Sequence, residues 1–473
     1  MNDMHVQVGE LIEIVKSINP ACDDRYLIGN DTTSGRLFAD VFSDIMKYCP
    51  EKKGWYIYDG KVWLMDTGDI MVDDLSKKLF MALTAYSVNT TIDSDYRKFI
   101  SRLGNRPARE RMLKDAKSFS AISSDIFDHD MNLFNCQNGT FDFSTGQLKP
   151  YNSTDYLTKL SNVIYDPNAN SDLWEKFISD IMCDDPEKIA YLQKCIGYGI
   201  SGNTQFECFF VIYGKTTRNG KGTLDGTIRH MCGNYAGVAS PDAFASSKFK
   251  GQGDKPNDTL VSIYDRHYVS VSEPDEAMQL NSAYVKQLTG NDAVRARGLY
   301  QSGIEFTPRF KLWFNTNYLP QVSDDTIFTS NRVIVIPFDR HFTPDEQDVH
   351  LKEKLKADSV ISACFNWCYA GYLKAMKERL TMPNFIRNAV DQYAISQNRI
   401  DEFFDECLLN EAGHRIRFSE VFKAYQKFCI ENGYKPYARA RFKAKAGERL
   451  DIQPYAGQDH VIGKTWAAEC PFL

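Results

Sequence analysis

Lys221 stands in the run Gly214-Lys215-Thr216-Thr217-Arg218-Asn219-Gly220-Lys221-Gly222-Thr223, directly after the apolar stretch Phe209-Phe210-Val211-Ile212-Tyr213. A buried strand that feeds a glycine-bearing turn and then a helix brings backbone N–H groups and a positive helix end to a phosphate, so this spacing predicts a phosphate-binding P-loop. Gly214 and Gly220 let the backbone turn, Asn219 and Gly222 complete the cradle, and Lys221 supplies a point charge for β- and γ-phosphates. Residues 224–231 can continue as the helix. Five residues rather than four separate Gly214 from Gly220, and Gly222 follows the lysine where Ser or Thr would hold Mg²⁺. Thr223 is therefore the expected metal-side hydroxyl, and ATP with Mg²⁺ the expected ligand pair.

Three later stretches would complete such a site. Tyr268-Val269-Ser270-Val271-Ser272-Glu273-Pro274-Asp275-Glu276 reads as an apolar strand ending in acids. Placed beside the phosphate-loop strand, it would offer Glu273 to the metal and Asp275 or Glu276 to the attacking water. Phe310 to Asn317 is a second apolar strand, ending in amides that can sense a γ-phosphate without competing for the metal. Arg332 immediately precedes the continuous apolar strand Val333-Ile334-Val335-Ile336-Pro337. Between them, the second half of 286–306 reads as a hairpin turning near Gln301-Ser302-Gly303, with basic and aromatic residues close to its tip.

The elements that must position these residues are distributed over 473 residues, of which 43% are hydrophobic and 13% aromatic, enough for about three globular domains. The formal charge of −6 argues against a generally basic nucleic-acid binder, so local charge matters more. Residues 97–117 and 413–449 are both rich in Lys and Arg. On the first stretch Arg97, Lys98, Arg102, Arg106, Arg109 and Arg111 are expected on a solvated helix face, with a DNA-guiding surface as the alternative. The twelve cysteines form no C-x-x-C pair, and Cys364 and Cys368, one helical turn apart, read as small core residues. No run approaches transmembrane length and no basic, apolar leader opens the chain, so a reducing cytoplasm is expected.

Before the phosphate loop, Trp55 to Leu64 alternates around Asp59-Gly60 as a hairpin, residues 73–117 are helical, and 135–146 gives short strands around Asn-Gly and Thr-Gly turns. Asp128-His129-Asp130 has the form of a paired-carboxylate metal site, though a polar loop is the plainer reading. Residues 173–200 read as two helices. Toward the C-terminus, Val421, Phe422, Tyr425, Phe428 and Cys429 share one helix face, and Arg439, Arg441 and Lys443 line a short basic helix anchored by Phe442. Strands near 452–455 and 461–466 could form a wing, so this segment is expected to touch DNA.

The order of these motifs resembles the superfamily-3 helicases, and most closely the helicase portion of phage, plasmid and poxvirus primase-helicases. The resemblance spans nearly the whole chain. It implies an α/β fold: an AAA+-like P-loop ATPase core over 186–383, a mixed α+β N-terminal domain over 1–185 and a winged-helix-like domain over 384–473. It further implies a sensor asparagine at Asn317, an arginine finger at Arg332, and a motif from Lys286 to Arg297, Arg295 included, that together with Tyr300 just beyond it couples to DNA. The implied protein is a hexameric ring that translocates 3′ to 5′ on single-stranded or forked DNA and replicates a phage or mobile element, in bacterial cytoplasm. A separate primase or polymerase would be a further partner, because the polymerase-like primase domain of many relatives is not recognisable here. Two alternatives remain open: a primase-helicase using Asp128 and Asp130, and an origin-binding or assembly protein regulated by ATP.

Overall fold

The computed structural model describes residues 7–27, 29–246, 257–274, 278–299, 303–322, 326–396, 399–432, 436–468 and 470–473. Asp275, Glu276, Tyr300, Gln301 and Ser302 lie outside the described residues.

Helices Val8–Ile18, Asp31–Val41, Ile70–Asn89, Ser94–Leu103 and Arg106–Phe119 pack around Leu11, Phe38, Trp55, Leu79 and Phe99. They enclose the antiparallel sheet Met46–Cys49, Gly54–Tyr58 and Trp63–Met65. The hairpin expected at Asp59-Gly60 is present: Asp59 Oδ1 accepts from the backbone N–H groups of Lys61 and Val62, both at 2.8 Å, and Gly60 takes φ +98°. The expected meander is also present, as Leu133–Cys136, Gly139–Asp142 and Gln147–Lys149.

The basic face of the third helical stretch is less free than its periodicity suggests. Arg109 is buried and donates to the carbonyls of Leu103 and Gly104, closing the preceding helix. Arg106 pairs with Glu110, Arg111 with Asp31 and Lys98 with Asp95. These cations serve the domain itself, which supports the plainer reading of that stretch.

The centre of the molecule is a five-stranded parallel sheet. Its strands are β1 (Phe209–Tyr213), β2 (Ala236–Ala239), β3 (Tyr268–Val271), β4 (Lys311–Thr316) and β5 (Val333–Pro337), in the order β5-β1-β4-β3-β2. Helices cover a parallel sheet on both faces, which is why β1 and β5 are uninterrupted apolar runs. Helix α1 (Lys221–Cys232) follows β1. The expected adjacency of β1 and β3 is corrected: β4 lies between them, so the strand that ends at Asn317 sits beside β1 and the strand that leads to Glu273 lies one place further out. Sequence pattern fixes the direction and burial of strands but not their lateral order.

Behind the sheet, helices Pro186–Ile200 and Asp358–Glu378 cross closely. A Cβ on Gly197 would lie 2.3 Å from the Cys368 carbonyl oxygen, and one on Gly371 would lie 2.0 Å from that of Gln193, so only glycine permits the approach. Cys364 and Cys368 are buried in this packing, as core residues.

The hydrophobic cores do not divide where the motifs suggest. The central core takes in Phe134, Phe141, Trp174 and Phe177 from before residue 185, and Ile386, Val390 and Tyr393 from after 383. A third core, around Phe403, Tyr425, Phe428, Phe442 and Val461, belongs to the last segment. There, helices Arg399–Cys407, Phe418–Glu431 and Arg439–Ala446 support the antiparallel strands Leu408–Arg417, Gln458–Trp466 and Ile452–Tyr455. The first of these strands is largely solvent-exposed and carries no alternating pattern, which is why its sequence does not announce it.

Candidate functional site

The chain leaves β1 at Gly214, whose position is set by crowding. A Cβ there would lie 2.3 Å from Asn219 Nδ2 and 3.2 Å from Lys221 Nζ. Asn219, 3% exposed, donates to the Thr216 carbonyl at 2.6 Å and staples the turn. Gly220 takes φ +86°, in the left-handed region, and a Cβ on it would strike Ile181. α1 begins immediately after, so the free N–H groups of its first turn face the same space as the lysine.

Lys221 is the first residue of α1 and is 5% exposed. Its Nζ donates to Asn317 Oδ1 at 2.7 Å and to the Gly214 carbonyl at 3.3 Å. Asn317 Nδ2 in turn donates to Glu273 Oε1 at 3.3 Å. Burial pushes the Lys221 ammonium down to about 8, against the pull of the Glu273 carboxylate. An anionic partner in the space beside it would offset that burial and favour the charged form.

These groups open onto a cavity of about 500 Å³ at the C-terminal ends of the strands. Its walls include the turn from Thr217 to Thr223, together with Ser272, Glu273 and Asn317. Lys221, Asn219, Gly220, Gly222, Thr223, Glu273 and Asn317 are thus brought together as expected from the sequence. Around Gly222 an added Cβ meets nothing within 4 Å, so the glycine is not demanded by space. Thr223 and Glu273 both line the cavity, and a hydroxyl with a carboxylate is a donor set that fits Mg²⁺ retaining water and phosphate ligands.

Sequence reasoning missed Asp225, Arg229, Ser270 and Lys352, which line this cavity together with Asn315, one of the amides expected at the end of its strand. The Asp225–Arg229 pair carried a readable signal, opposite charges four residues apart on the helix after the turn. Ser270 carried none, because it looks like an isolated polar residue in an apolar strand until the strand order is known.

Arg332 is not part of this cavity within the same chain. It precedes β5, whose first residues lie at the opposite end of the sheet, about 16 Å away along five extended residues. Its guanidinium donates to Glu207 at 2.7 Å, to Thr289 Oγ1 at 3.1 Å and to the Lys286 carbonyl at 3.2 Å. Lys286 lies on helix Ser282–Thr289 and contacts Thr326.

The expected hairpin exists as Val294–Ala296 paired with Ile304–Phe306, carrying Arg295 and, just beyond, Arg297, both exposed. On the basic helix Arg439 is exposed, Arg441 stacks over Tyr437 at 4.7 Å, and Lys443 pairs with Asp459 of strand Gln458–Trp466.

Asp128 is engaged structurally: it accepts from the buried Lys159 Nζ at 2.7 Å and from the Thr158 N–H at 2.9 Å, while Lys159 also pairs with Asp265. Asp130 accepts from the Asn132 N–H. Among the described residues no three His, Cys, Asp or Glu side chains gather as a metal site, and no helix is long and apolar enough to cross a membrane.

A lysine, a helix N-terminus and a carboxylate thus meet on one cavity at the C-terminal edge of a parallel sheet. Residues 35–183 match the family described as D5 N terminal like. Over 86% of its length the chain is 23% identical to "Putative helicase 121R" of Invertebrate iridescent virus 3, and over 89% it is 23% identical to "Putative helicase L207/L206" of Acanthamoeba polyphaga mimivirus. The chain spans about half the length of these relatives, 50% and 47%. Among solved structures, the apo C-terminal region of NrS-1 is similar over 91% of this chain and 99% of its own, at 10% identity and a TM-score of 0.49. The resemblance read from motif order, to the helicase portion of primase-helicases, is borne out by the family match and the viral relatives.

Proposed function

We propose that this chain is an ATP-driven DNA helicase with an AAA+-like P-loop core, acting as a ring, a hexamer, with nucleotide bound between neighbouring subunits. The observation that carries the reading is the Lys221–Asn317–Glu273 chain of hydrogen bonds, at the start of a helix and on the wall of a cavity. The β- and γ-phosphates of ATP would replace Asn317 and the Gly214 carbonyl as partners of Lys221, while the first N–H groups of α1 cradle them. Asn317, released from Lys221, is then free to register the γ-phosphate and to keep Glu273 in place. Thr223 and Glu273 are the residues that would hold Mg²⁺, which when bound draws charge from the phosphate oxygens. Arg332, at the far end of the sheet, fits a role in the neighbouring subunit's site and not in its own.

The hairpin with Arg295, and Arg297 just beyond its first strand, would grip the backbone of single-stranded or forked DNA together with Lys286 and the sequence candidate Tyr300, so the motor should tolerate any sequence. Arg439, Arg441 and Lys443 would anchor DNA through a winged-helix-like domain, with Lys443 the weakest contributor because Asp459 already holds it. Movement is 3′ to 5′ in this reading. The viral origin of the relatives supports a setting in the replication of a large DNA virus or related element, beside a separate primase or polymerase. Asp128 and Asp130 are not assigned to priming, since their partners lie within the fold.

Strand separation on a forked duplex tests the reading. Unwinding that requires ATP, and that a 3′ single-stranded arm supports better than a 5′ arm, is the expected outcome; ATP hydrolysis without any unwinding would favour an assembly ATPase instead.

A further inference from the structure

The charge of Arg332 is already taken up within its own chain. Its Nη2 donates to the Glu207 carboxylate at 2.7 Å, and its Nη1 donates to the Lys286 carbonyl at 3.2 Å and to Thr289 Oγ1 at 3.1 Å. The first bond pairs the guanidinium with an opposite charge. The other two lie at the C-terminal end of helix Ser282–Thr289, whose last carbonyls have no partner within the helix. The backbone here is fixed and the side chains are not. The Arg332 carbonyl accepts from the Phe209 N–H at 2.8 Å, which locks the start of β5 to β1, whereas the Arg332 side chain is 21% exposed and that of Glu207 41%.

Glu207 stands two residues before β1, in a turn closed by its own N–H on the Thr204 carbonyl at 3.0 Å, with φ +48°. Glycine or asparagine takes that left-handed conformation at lower cost, so the local backbone does not favour a glutamate there. What the glutamate contributes is its carboxylate, which meets Arg332. The same Thr204 carbonyl accepts from Asn291 Nδ2 at 3.4 Å, just beyond the helix end. Only residues 290–293 separate that helix from Val294–Ala296, the first strand of the hairpin that carries Arg295.

We propose that Glu207 is a positioning residue that holds the Arg332 guanidinium back from the neighbouring subunit's nucleotide until DNA engages the hairpin. The inference rests on the nucleotide and arginine-finger reading above. A guanidinium paired with a carboxylate offers less charge to a phosphoryl group, so Arg332 must exchange Glu207 for the γ-phosphate in order to act. DNA on the hairpin displaces the end of helix Ser282–Thr289, removes the two neutral bonds and leaves Glu207 alone to compete with the phosphate. The ion pair thus sets a slow turnover without DNA and makes room for stimulation by it.

The test measures steady-state MgATP hydrolysis by the full chain with and without single-stranded DNA, alongside thermal melting. Glu207→Gln keeps the size of the side chain but removes its charge. Without DNA it should hydrolyse ATP at least about threefold faster than wild type, as the fraction of released Arg332 rises. Stimulation by DNA should shrink by the same factor. Glu207→Asp, which keeps the charge, should fall between the two. Because the pair is partly exposed, both variants should melt close to wild type. In an Arg332→Ala background Glu207→Gln should change nothing, a dependence that a merely structural ion pair would not produce. If Arg332→Ala itself hydrolyses ATP like wild type, the finger reading falls. If Arg332→Ala is slow but folded Glu207→Gln is no faster than wild type, or is faster by the same factor without Arg332, the holding role of Glu207 alone is wrong.

Discussion

Two lysines at opposite edges of the central sheet, one opening α1 and one opening β4, are both buried and do opposite things. Lys221 stands at the C-terminal edge, where its amine meets one side-chain amide, one carbonyl and a cavity. Lys311 opens β4 at the N-terminal edge, 1% exposed, and its amine is surrounded by the carbonyls of Ser201, Asn203 and Arg309. Burial pushes both ammonium groups down, to about 8 and about 7 respectively. The Lys311 amine closes the end of helix Pro186–Ile200, whose Ile200 carbonyl also meets a ring nitrogen of buried His267. A displaced lysine is therefore not in itself a mark of function. What distinguishes Lys221 is that its partners are few and exchangeable and that space for an anion lies beside it.

The sharpest way to break this comparison is to remove each amine. Lys221→Ala should abolish ATP turnover with the fold retained, whereas Lys311→Met should keep turnover per folded molecule; both are read from steady-state hydrolysis alongside thermal melting. Arg332→Ala comes next, with nucleotide binding kept and hydrolysis slowed by about 10³-fold if it acts across an interface. Mixing Arg332→Ala with Lys221→Ala subunits should then restore some active sites, and a strictly additive loss would place Arg332 in its own subunit's chemistry.

Protonation sharpens the comparison further. For a lysine whose folded value is lowered, the unfolded chain binds more protons between the two values, so stability rises with pH across that window. The wild type should gain stability relative to Lys311→Met as pH climbs from about 7 toward the ordinary lysine range, and relative to Lys221→Met from about 8 upward. Melting temperatures at several pH values decide this, and parallel curves for wild type and variants would contradict the assigned burial.

Smaller effects concern the periphery of the molecule. Removing residues 399–473, which have their own core, should weaken fork binding and reduce the slope of log affinity against log salt by about 0.9 for each DNA phosphate no longer neutralised. DNA-stimulated hydrolysis should survive in part. The smallest expected change is Gly222→Ser, because a Cβ there finds open space; hydrolysis within about twofold of wild type agrees with the geometry, and a collapse of activity would show a tighter approach than the turn displays.

What the sequence disclosed and what it withheld follow from the range of the interactions involved. The apolar run into Gly214, the lysine after Gly220 and the asparagine after β4 are local patterns; the lysine and the asparagine line the cavity, and the run leads the chain to it. Ser270 acquires meaning only through the lateral order of strands, which places β4 between β1 and β3. Arg109 resembles part of a basic face because periodicity cannot show that its guanidinium turns inward to close the helix before it. The division into cores escapes for a related reason: Trp174 and Phe177 read as the end of one domain, yet they pack in the same core as the strand that leads to Lys221.

The central claim is that the Lys221 cavity, and not merely a buried amine, drives work on DNA. Hydrolysis of ATP measured with and without single-stranded DNA, on wild type, Lys221→Ala and Lys311→Met side by side, tests it most directly. Stimulation by DNA in wild type and Lys311→Met, with none in a folded Lys221→Ala, is the result expected. Turnover by folded Lys221→Ala, or loss of stimulation in a folded Lys311→Met alone, would contradict it.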